Sequence, residues 1–207
     1  GMKSALADIL WVKCDGFFHT GRYDRIMPMC YLITWLNPKF LDVYIIGAWH
    51  MAYNFMDRRY VPEGIKFLDR GIHNNPTEAE VYFEQGHILD DKAQEFGKAA
   101  VVYRKANGLG LKPAGKRHAL AHALEGDGQI DAAIKAWEEF EKEERDEGNW
   151  VMANVSKHNR DLTIWRIADR ARRAKNPLNV AFDYEWKVPA PRILRLQGKT
   201  NLPELAR

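Results

Sequence analysis

The stretch from Lys116 to Phe140 constrains the fold of this chain most strongly. Its sequence, KRHALAHALEGDGQIDAAIKAWEEF, carries apolar residues at spacings of three and four on both sides of a polar, glycine-containing segment. That spacing is the period of an amphipathic helix, and glycine tolerates the backbone conformation in which helices commonly end. The stretch therefore predicts two helices that fold back on each other as a hairpin.

The same arrangement recurs three times upstream. The prolines that close successive units are Pro38, Pro76 and Pro113, which are 38 and 37 residues apart. In the second unit the first helix is predicted over about 40–58, longer than in the other units because residues 57–60 are inserted before the turn. A fixed period of this length is typical of an array of helical hairpins.

Small residues stand opposite aromatic ones in two of the predicted hairpins. The last unit has Ala121 on its first helix and Ala133 and Trp137 on its second, and the third unit has Tyr103 three residues before Ala106. This pattern resembles the tetratricopeptide repeat (TPR), in which small residues pack against aromatics across a helical hairpin with a usual period of about 34 residues.

The resemblance covers roughly residues 5–142. It implies an all-α fold, a right-handed α-solenoid of about four TPR-like helical hairpins with a C-terminal capping helix and an extended tail. The aromatic-rich first unit, with its LWVKCDGFF helix, also resembles a group of bacterial repeat proteins without assigned activity. We expect a repeat array over 1–145, a capping helix over 146–176 and a basic, aromatic tail over 177–207.

The tail has a different pattern from the array. Val180, Phe182, Tyr184, Trp186 and Val188 alternate with other residues, which is the period of an extended strand. No second strand is evident in the sequence to pair with it. Because an aromatic strand left in water is unfavourable, we expect the tail to pack along the repeat body or on a neighbouring chain.

The charge is unevenly distributed although the net charge is only +3. Residues 1–150 hold 19 Lys and Arg against 23 Asp and Glu, whereas residues 151–207 hold 12 against 5. The body is therefore mildly acidic and the C-terminal part is basic. The basic tail is for this reason a candidate ligand for the acidic body, either of its own chain or of a second copy.

Composition limits the remaining classes. The two cysteines, Cys14 and Cys30, form no disulfide framework, and we expect buried free thiols. No apolar run reaches the 18 or more residues that a membrane-spanning helix needs. No signal peptide is evident, but Gly1 before Met2 has the form of a cleavage scar. A cytoplasmic and a periplasmic location therefore both stay open, as does an N-terminal anchor or signal that has been removed.

The resemblance also implies where a partner binds, because the first helices of successive TPR units line a groove. The positions carried over unit by unit are acidic, aromatic and histidine-bearing, which favours another protein or a peptide with a basic segment. The sequence has no phosphate-binding glycine loop, nucleophile elbow or CxxC pair, so we expect a non-enzymatic module without a cofactor. The predicted groove residues are Trp11, Asp15, Tyr44, Phe83, Glu84, His87, Asp91, His118, His122 and Glu125.

A metal site is one alternative to the peptide groove. His118 and His122 are four residues apart and hence on one helix face. Glu84, His87 and Asp91 could face them from the adjacent unit, and two histidines with a carboxylate are a suitable ligand set for zinc or iron. The motif lacks the intervening glutamate of zinc proteases, and the competing interpretation is two groove-lining or surface histidines.

Nucleic-acid binding is the other alternative. Arg170, Arg172, Arg173 and Lys175 cluster at the end of the predicted capping helix, and Trp165 and Trp186 lie nearby in sequence. Basic residues supply affinity for phosphates, and aromatic rings can stack on bases. The competing interpretation is a solvated helix end that suits the negative end of the helix dipole.

Overall fold

The computed structural model describes residues 1–55, 57–175, 182–190 and 193–200. The described residues divide into two compact units, 1–163 and 164–207. Helices form the whole of the first unit, and a β-hairpin lies in the second. The elements are α1 (Met2–His19), α2 (Tyr23–Leu36), α3 (Leu41–Trp49), a π-helical turn (His50–Asn54), α4 (Tyr60–Asn74), α5 (Ala79–Asp91), α6 (Phe96–Gly108), α7 (Ala114–Arg117), α8 (Ala119–Gly126), α9 (Ile130–Asp146), α10 (Trp150–Lys175), β1 (Phe182–Ala190) and β2 (Ile193–Thr200).

The helices pack as four successive hairpins, which confirms the predicted repeat array. Helix α1 packs on α2, α3 on α4, α5 on α6 and α8 on α9, and contacts between α2 and α3, α4 and α5, and α6 and α8 join neighbouring hairpins. The turn glycines Gly21 and Gly128 have φ values of +70° and +79°, a conformation that favours glycine over other residues. Local helical period and turn chemistry thus set the order of the elements.

The first helix of the second unit is shorter than the predicted segment 40–58. Helix α3 ends at Trp49, and the chain then widens into the π-helical turn His50–Asn54. Phe55 follows with an extended backbone, with φ of −76° and ψ of 110°. The inserted residues therefore leave the helix axis instead of lengthening the helix.

Small residues face large ones inside the hairpins, as the repeat pattern predicts. Ala121 and Ala133 are completely buried, and so is Trp137. In the third unit a Cβ atom at Gly86 would lie only 2.6 Å from the ring of Tyr103. The helices therefore approach each other most closely where one of the two side chains is small or absent.

Gly86→Ala should destabilise the fold by about 1–3 kcal/mol, because an added methyl group overlaps the Tyr103 ring and forces the packed helices to shift. Gly16→Ala is the matched control, since Gly16 is also helical and its Cβ would meet no atom within 4 Å. We expect the control to be unchanged or slightly more stable. Urea unfolding followed by circular dichroism measures both, and equal midpoints would contradict the assigned packing.

Two buried clusters form the core of the described array. One cluster spans the first two hairpins and reaches Val81 and Ile88 of α5, and the other spans the last two hairpins around Trp137. Cys14 and Cys30 are buried in the first cluster as free thiols, as predicted. Among the described helices none is long and apolar enough to cross a membrane.

The part of α10 that belongs to the first unit covers the last hairpin. Ala153, Ser156 and Thr163 are buried, and Arg160 forms an ion pair with Glu141 of α9 at 2.8 Å. The boundary between the two units falls between residues 163 and 164, inside this helix. The predicted capping helix 146–176 coincides closely in extent with α10.

The predicted extended tail contains a paired strand, which corrects the expectation that no second strand is available. Strand β1 pairs with β2 in antiparallel register, with Phe182 opposite Thr200 and Trp186 opposite Leu196. The alternation in β1 is regular, but β2 reads ILRLQGKT, in which polar residues and a glycine interrupt the period. Residues 177–181, 191–192 and 201–207 of the predicted tail lie outside the described residues.

Candidate functional site

The first helices of the four units bring aromatic and acidic side chains together on one surface, here called the first-helix face. The rings of Phe18 on α1 and His50 lie 4.4 Å apart, and those of Tyr53 and His87 on α5 lie 5.8 Å apart. The Tyr53 hydroxyl is also 3.4 Å from Nε2 of His87. The face consists of Asp15, Phe18, His50, Tyr53, Phe83, Glu84, His87, Asp90, Asp91 and His122.

Glu84 is the central carboxylate of this face. Its side chain is only 13% exposed, and its Oε1 atom is buried and accepts no hydrogen bond from any described residue. Nδ1 of His87 lies 3.8 Å from that oxygen, which is beyond hydrogen-bond distance. The interaction with Glu84 nevertheless raises the pKa of His87, because a nearby negative charge favours the protonated ring.

Two more carboxylates follow on the same helix. Burial raises the pKa of Asp90, and His87 and His122 oppose this effect by their charge. Lys92, whose Nζ atom is 3.2 Å from Asp91, lowers the pKa of Asp91. The described chain gives Asp91 a lysine partner but places no Lys or Arg within ion-pair distance of Glu84 or Asp90.

Two aromatic rings of the face already carry an ammonium group of the chain itself. The Nζ atom of Lys92 lies 4.2 Å from the centroid of the Tyr53 ring, and that of Lys116 lies 4.8 Å from the centroid of Phe83. Lys116 also pairs with Glu80 at 2.6 Å. Burial is the main cause that raises the pKa of Tyr53, so its ring stays neutral and attracts cations through its π face.

The structure brings together six of the ten predicted groove residues on this face, namely Asp15, Phe83, Glu84, His87, Asp91 and His122. Asp15 is exposed at the α1 end of the face and pairs with His19 at 3.4 Å. The other predicted positions differ in their surroundings. Trp11 is half-buried against Phe40. Glu125 accepts hydrogen bonds from Trp137 and Thr163.

Tyr44 and His118 do not line a surface, which corrects the sequence expectation for both. Tyr44 is completely buried, because Gly71 leaves a space that its ring fills. His118 is 5% exposed, and its Nε2 atom lies 2.7 Å from Glu144 and 2.9 Å from Ser156. Both side chains therefore contribute to the core and not to a binding surface.

The burial of His118 also removes the predicted metal site. Its Nε2 atom is engaged by Glu144 and Ser156, whereas the side chain of His122 on α8 is 55% exposed. Both rings pack edge-to-face on Trp137, but only that of His118 is buried. Within the described part of the chain, no group of three or more His, Cys, Asp or Glu side chains is arranged to hold a metal ion.

The predicted nucleic-acid site is less basic than its sequence indicates. Asp169 pairs with Arg172 and with Arg173, each at 2.6 Å, and Arg172 is the main cause that lowers the pKa of Asp169. Trp165 is 59% exposed, whereas the side chain of Trp186 lies outside the described part of the structure. Nucleic-acid binding by this region stays a prediction.

Four residues of the face, Phe18, His50, Tyr53 and Asp90, are not among the ten predicted groove residues. Asp90 lies one residue before the predicted Asp91, and the helical pattern of the sequence does not show which of the two carboxylates is the more buried. Tyr53 lies in the π-helical turn, which shifts it relative to the regular helix on which positions were carried over. Tyr53 stacks on the exposed Trp49 at 5.6 Å, and in the sequence this pair is only an i, i+4 aromatic spacing.

Comparison with known proteins identifies the architecture. Neither a family model nor a curated protein sequence matches the chain. Among solved structures, a MamA protein is 19% identical over 83% of this chain and 96% of its own, with a TM-score of 0.53. A thermophilic TPR protein of Thermus thermophilus is 17% identical over 72% of this chain and 80% of its own, with a TM-score of 0.50.

A third likeness is to nearly identical TPR-like repeats of Podosopora anserina, at 14% identity over 86% of this chain and 99% of that one, with a TM-score of 0.51. At these identities the likeness shows the fold alone. The chain is therefore a TPR-like helical repeat protein in its architecture, an α-solenoid built from four hairpins.

Proposed function

We propose that the first-helix face binds a basic segment of a protein partner. The observation that carries this proposal is the pair Glu84 and Asp90. Both carboxylates are largely removed from water, and neither has a Lys or Arg partner within the described chain. His87 and His122 compensate these negative charges only when their rings are protonated, so a ligand that supplies a permanent cation gains the interaction.

A lysine or arginine of a bound peptide fits this arrangement. Its donors can form charge-assisted hydrogen bonds to Oε1 of Glu84, which accepts none from the described residues. Phe83 and Tyr53 supply ring faces that both lie beside His87, and each already holds an ammonium group of this chain. An incoming basic side chain can exchange with Lys92 or Lys116 at these rings.

The proposed role is non-enzymatic. The described residues include one constellation that resembles a catalytic triad in composition, which is His118, Glu144 and Ser156. Its serine and glutamate are 0% exposed, and both bind the same nitrogen of the histidine. A nucleophile needs access to substrate and a base that a third group orients through its other nitrogen. This cluster therefore stabilises the packing of α8, α9 and α10.

The proposal predicts that Glu84→Gln and Asp90→Asn weaken the binding of a lysine-rich peptide. Each substitution removes one negative charge without changing the size of the side chain, and we expect the double variant to lose about tenfold or more in affinity. Isothermal titration of the full chain with a short lysine-rich peptide measures this effect. A peptide of equal length with glutamate in place of lysine should not bind.

Glu139→Gln is the matched control, because Glu139 is an exposed carboxylate on α9 and pairs only weakly with Lys135 at 3.9 Å. Affinity should also fall as the pH is lowered through the raised pKa of His87, since the protonated ring places a positive charge beside Glu84. Equal losses in the control and the Glu84 variant would reject the face as the binding site.

The same titration addresses the hypothesis that the basic tail occupies this face. A chain that lacks residues 178–207 should bind the lysine-rich peptide more tightly if the tail competes for Glu84 and Asp90. Unchanged affinity would leave the face as the peptide site and exclude the tail as its self-ligand.

A further inference from the structure

A cleft lies beside the turns that join the first and second helices in the first two units. It has a volume of about 440 Å³, and residues of α2, the π-helical turn and the segment before α4 line it. We call it the aromatic cleft, and its lining residues are Tyr23, Asp24, Asn54, Phe55, Asp57 and Tyr60. None of them belongs to the first-helix face.

Three aromatic rings form the walls of this cleft. Phe55 is central, with its ring 5.8 Å from that of Tyr23 and 4.8 Å from that of Tyr60. The rings are inclined to each other by 57° and 87°, so neither neighbour is parallel to Phe55. A flat ligand needs two parallel walls to stack between, whereas rings set at steep angles form a box for a compact, rounded group.

The charge of the cleft indicates which compact group it takes. Its two ionisable lining groups besides tyrosine are carboxylates, those of Asp24 and Asp57. Arg59 bonds Asp57 through Nε at 2.8 Å and Nη2 at 2.6 Å, which lowers the pKa of this carboxyl and keeps it ionised. Arg22 and Arg25 form ion pairs with Asp24 at 3.7 Å and 3.8 Å, so both carboxylates have arginine partners, but none of these arginines lines the cleft.

We propose that the aromatic cleft binds a methylated ammonium group, such as a quaternary trimethylammonium. Such a cation spreads its charge over methyl groups and cannot donate hydrogen bonds, so aromatic faces and nearby carboxylates are its preferred surroundings. An unmethylated ammonium would instead keep its water shell in an open cleft of this kind. The cleft shares no residue with the first-helix face, although Tyr23 and Asn54 of the cleft contact Phe18 and His50 of that face.

The insertion in the second unit explains why the cleft exists. The π-helical turn ends α3 early, and Phe55 leaves it with an extended backbone. Residues 57–60 then form the wall that carries Asp57 and Tyr60, and Tyr60 begins α4. Tyr23 comes from the other side, at the start of α2. A regular hairpin without the insertion would have no such wall.

The test is a ligand titration of the full chain with choline and with 3,3-dimethyl-1-butanol, its uncharged isostere. Ligand-observed nuclear magnetic resonance and isothermal titration should show saturable binding of choline and at least about fivefold weaker binding of the alcohol. Equal binding of the two would overturn the proposal, because it would mean a merely apolar cavity. An absence of saturable binding for both would overturn it as well.

Variants locate the site. Tyr60→Leu and Tyr23→Leu should each weaken choline binding by about fivefold or more, whereas Tyr60→Phe keeps the ring and should retain it. Trp150→Leu is the control, since Trp150 is an exposed aromatic residue on α10 and is distant in sequence from the residues that line the cleft. Circular dichroism confirms that each variant is folded. Undiminished binding in both leucine variants would reject the cleft as the site.

The methylated ammonium group could belong to a protein or to a small compound. A third ligand, a short peptide that contains trimethyl-lysine, distinguishes these two sources. Tighter binding of this peptide than of choline supports a methylated protein as the ligand. The reverse order supports a small quaternary ammonium compound. The unmethylated form of the same peptide should bind at least about fivefold more weakly at this cleft, and equal binding of both forms would contradict the proposal.

Discussion

Trp137→Ala is expected to lower the free energy of unfolding by about 3–5 kcal/mol, the usual range for truncation of a buried aromatic residue. Trp137 is the largest completely buried side chain of the described structure. Its ring contacts His118, His122 and Phe140 at centroid distances between 4.9 and 6.3 Å. Its removal leaves a cavity at the centre of the fourth hairpin, because neighbouring helices can only partly close it.

The indole nitrogen adds a smaller effect that a second variant separates. Nε1 of Trp137 donates to Oε1 of Glu125 at 2.9 Å. Trp137→Phe keeps most of the ring volume but loses this donor, so we expect a loss of only about 1–2 kcal/mol. Urea unfolding followed by circular dichroism gives both values. If alanine and phenylalanine variants were equally stable, the ring would not be packed as the structure places it.

The helical hairpins could be predicted from the sequence because their signals are local. A glycine such as Gly128 and a proline such as Pro76 mark where helices end, and the apolar period between such residues specifies a helix. The prediction that small residues pack against large ones inside a hairpin is also confirmed, since Ala133 and Trp137 are both buried. These features depend on residues within one hairpin, so a single unit already contains them.

Features that depend on contacts between residues far apart in the sequence could not be predicted in this way. His118 was expected on a surface because it is a polar residue four positions before His122 in the predicted helix. The two groups that bury it are 26 and 38 residues away, on α9 and α10. Tyr44 is similar, since its burial depends on the absence of a side chain at Gly71 on the next helix. A sequence pattern cannot show which distant polar groups meet.

The candidate site was predicted in part for the same reason. Phe83, Glu84 and His87 lie on the outer side of one helix, and helical spacing alone places them together. Tyr53 was missed because the π-helical turn breaks the regular register, and the aromatic cleft was missed because an insertion forms its wall. Departures from the repeat therefore carry the features that distinguish this chain from a regular array.

His118→Ala is expected to destabilise the protein by about 3–5 kcal/mol, because it leaves the buried Glu144 carboxylate without one of its two partners. Glu144 and Ser156 are 0% exposed, and Oε1 and Oε2 of Glu144 accept from His118 at 2.7 Å and from Ser156 at 2.8 Å. These bonds connect α8, α9 and α10. Loss of the histidine removes a donor to Glu144 and leaves a cavity between these helices.

Replacement of the whole network tests whether the cost comes from the unpaired carboxylate. A variant that combines His118→Leu, Glu144→Leu and Ser156→Ala has no buried charge to satisfy, so it should be more stable than His118→Ala alone. Urea unfolding compares the two variants at neutral pH. A combined variant that is less stable than the single one would mean that the polar network itself, and not the avoidance of an unpaired charge, holds these helices together.

The pH dependence of stability gives an independent measure of the same residue. Burial lowers the pKa of His118, against the opposing effect of the hydrogen bond to Glu144. The unfolded chain then binds a proton at this position more readily than the folded chain does, so stability should fall as the pH drops below the unfolded value of about 6.5. His50 contributes with the same sign and His87 with the opposite sign. The difference between the wild type and the combined variant cancels the contributions of His50 and His87. A difference that does not change between pH 8 and pH 5, a window of about three units around that value, would contradict the burial of His118 as a neutral ring.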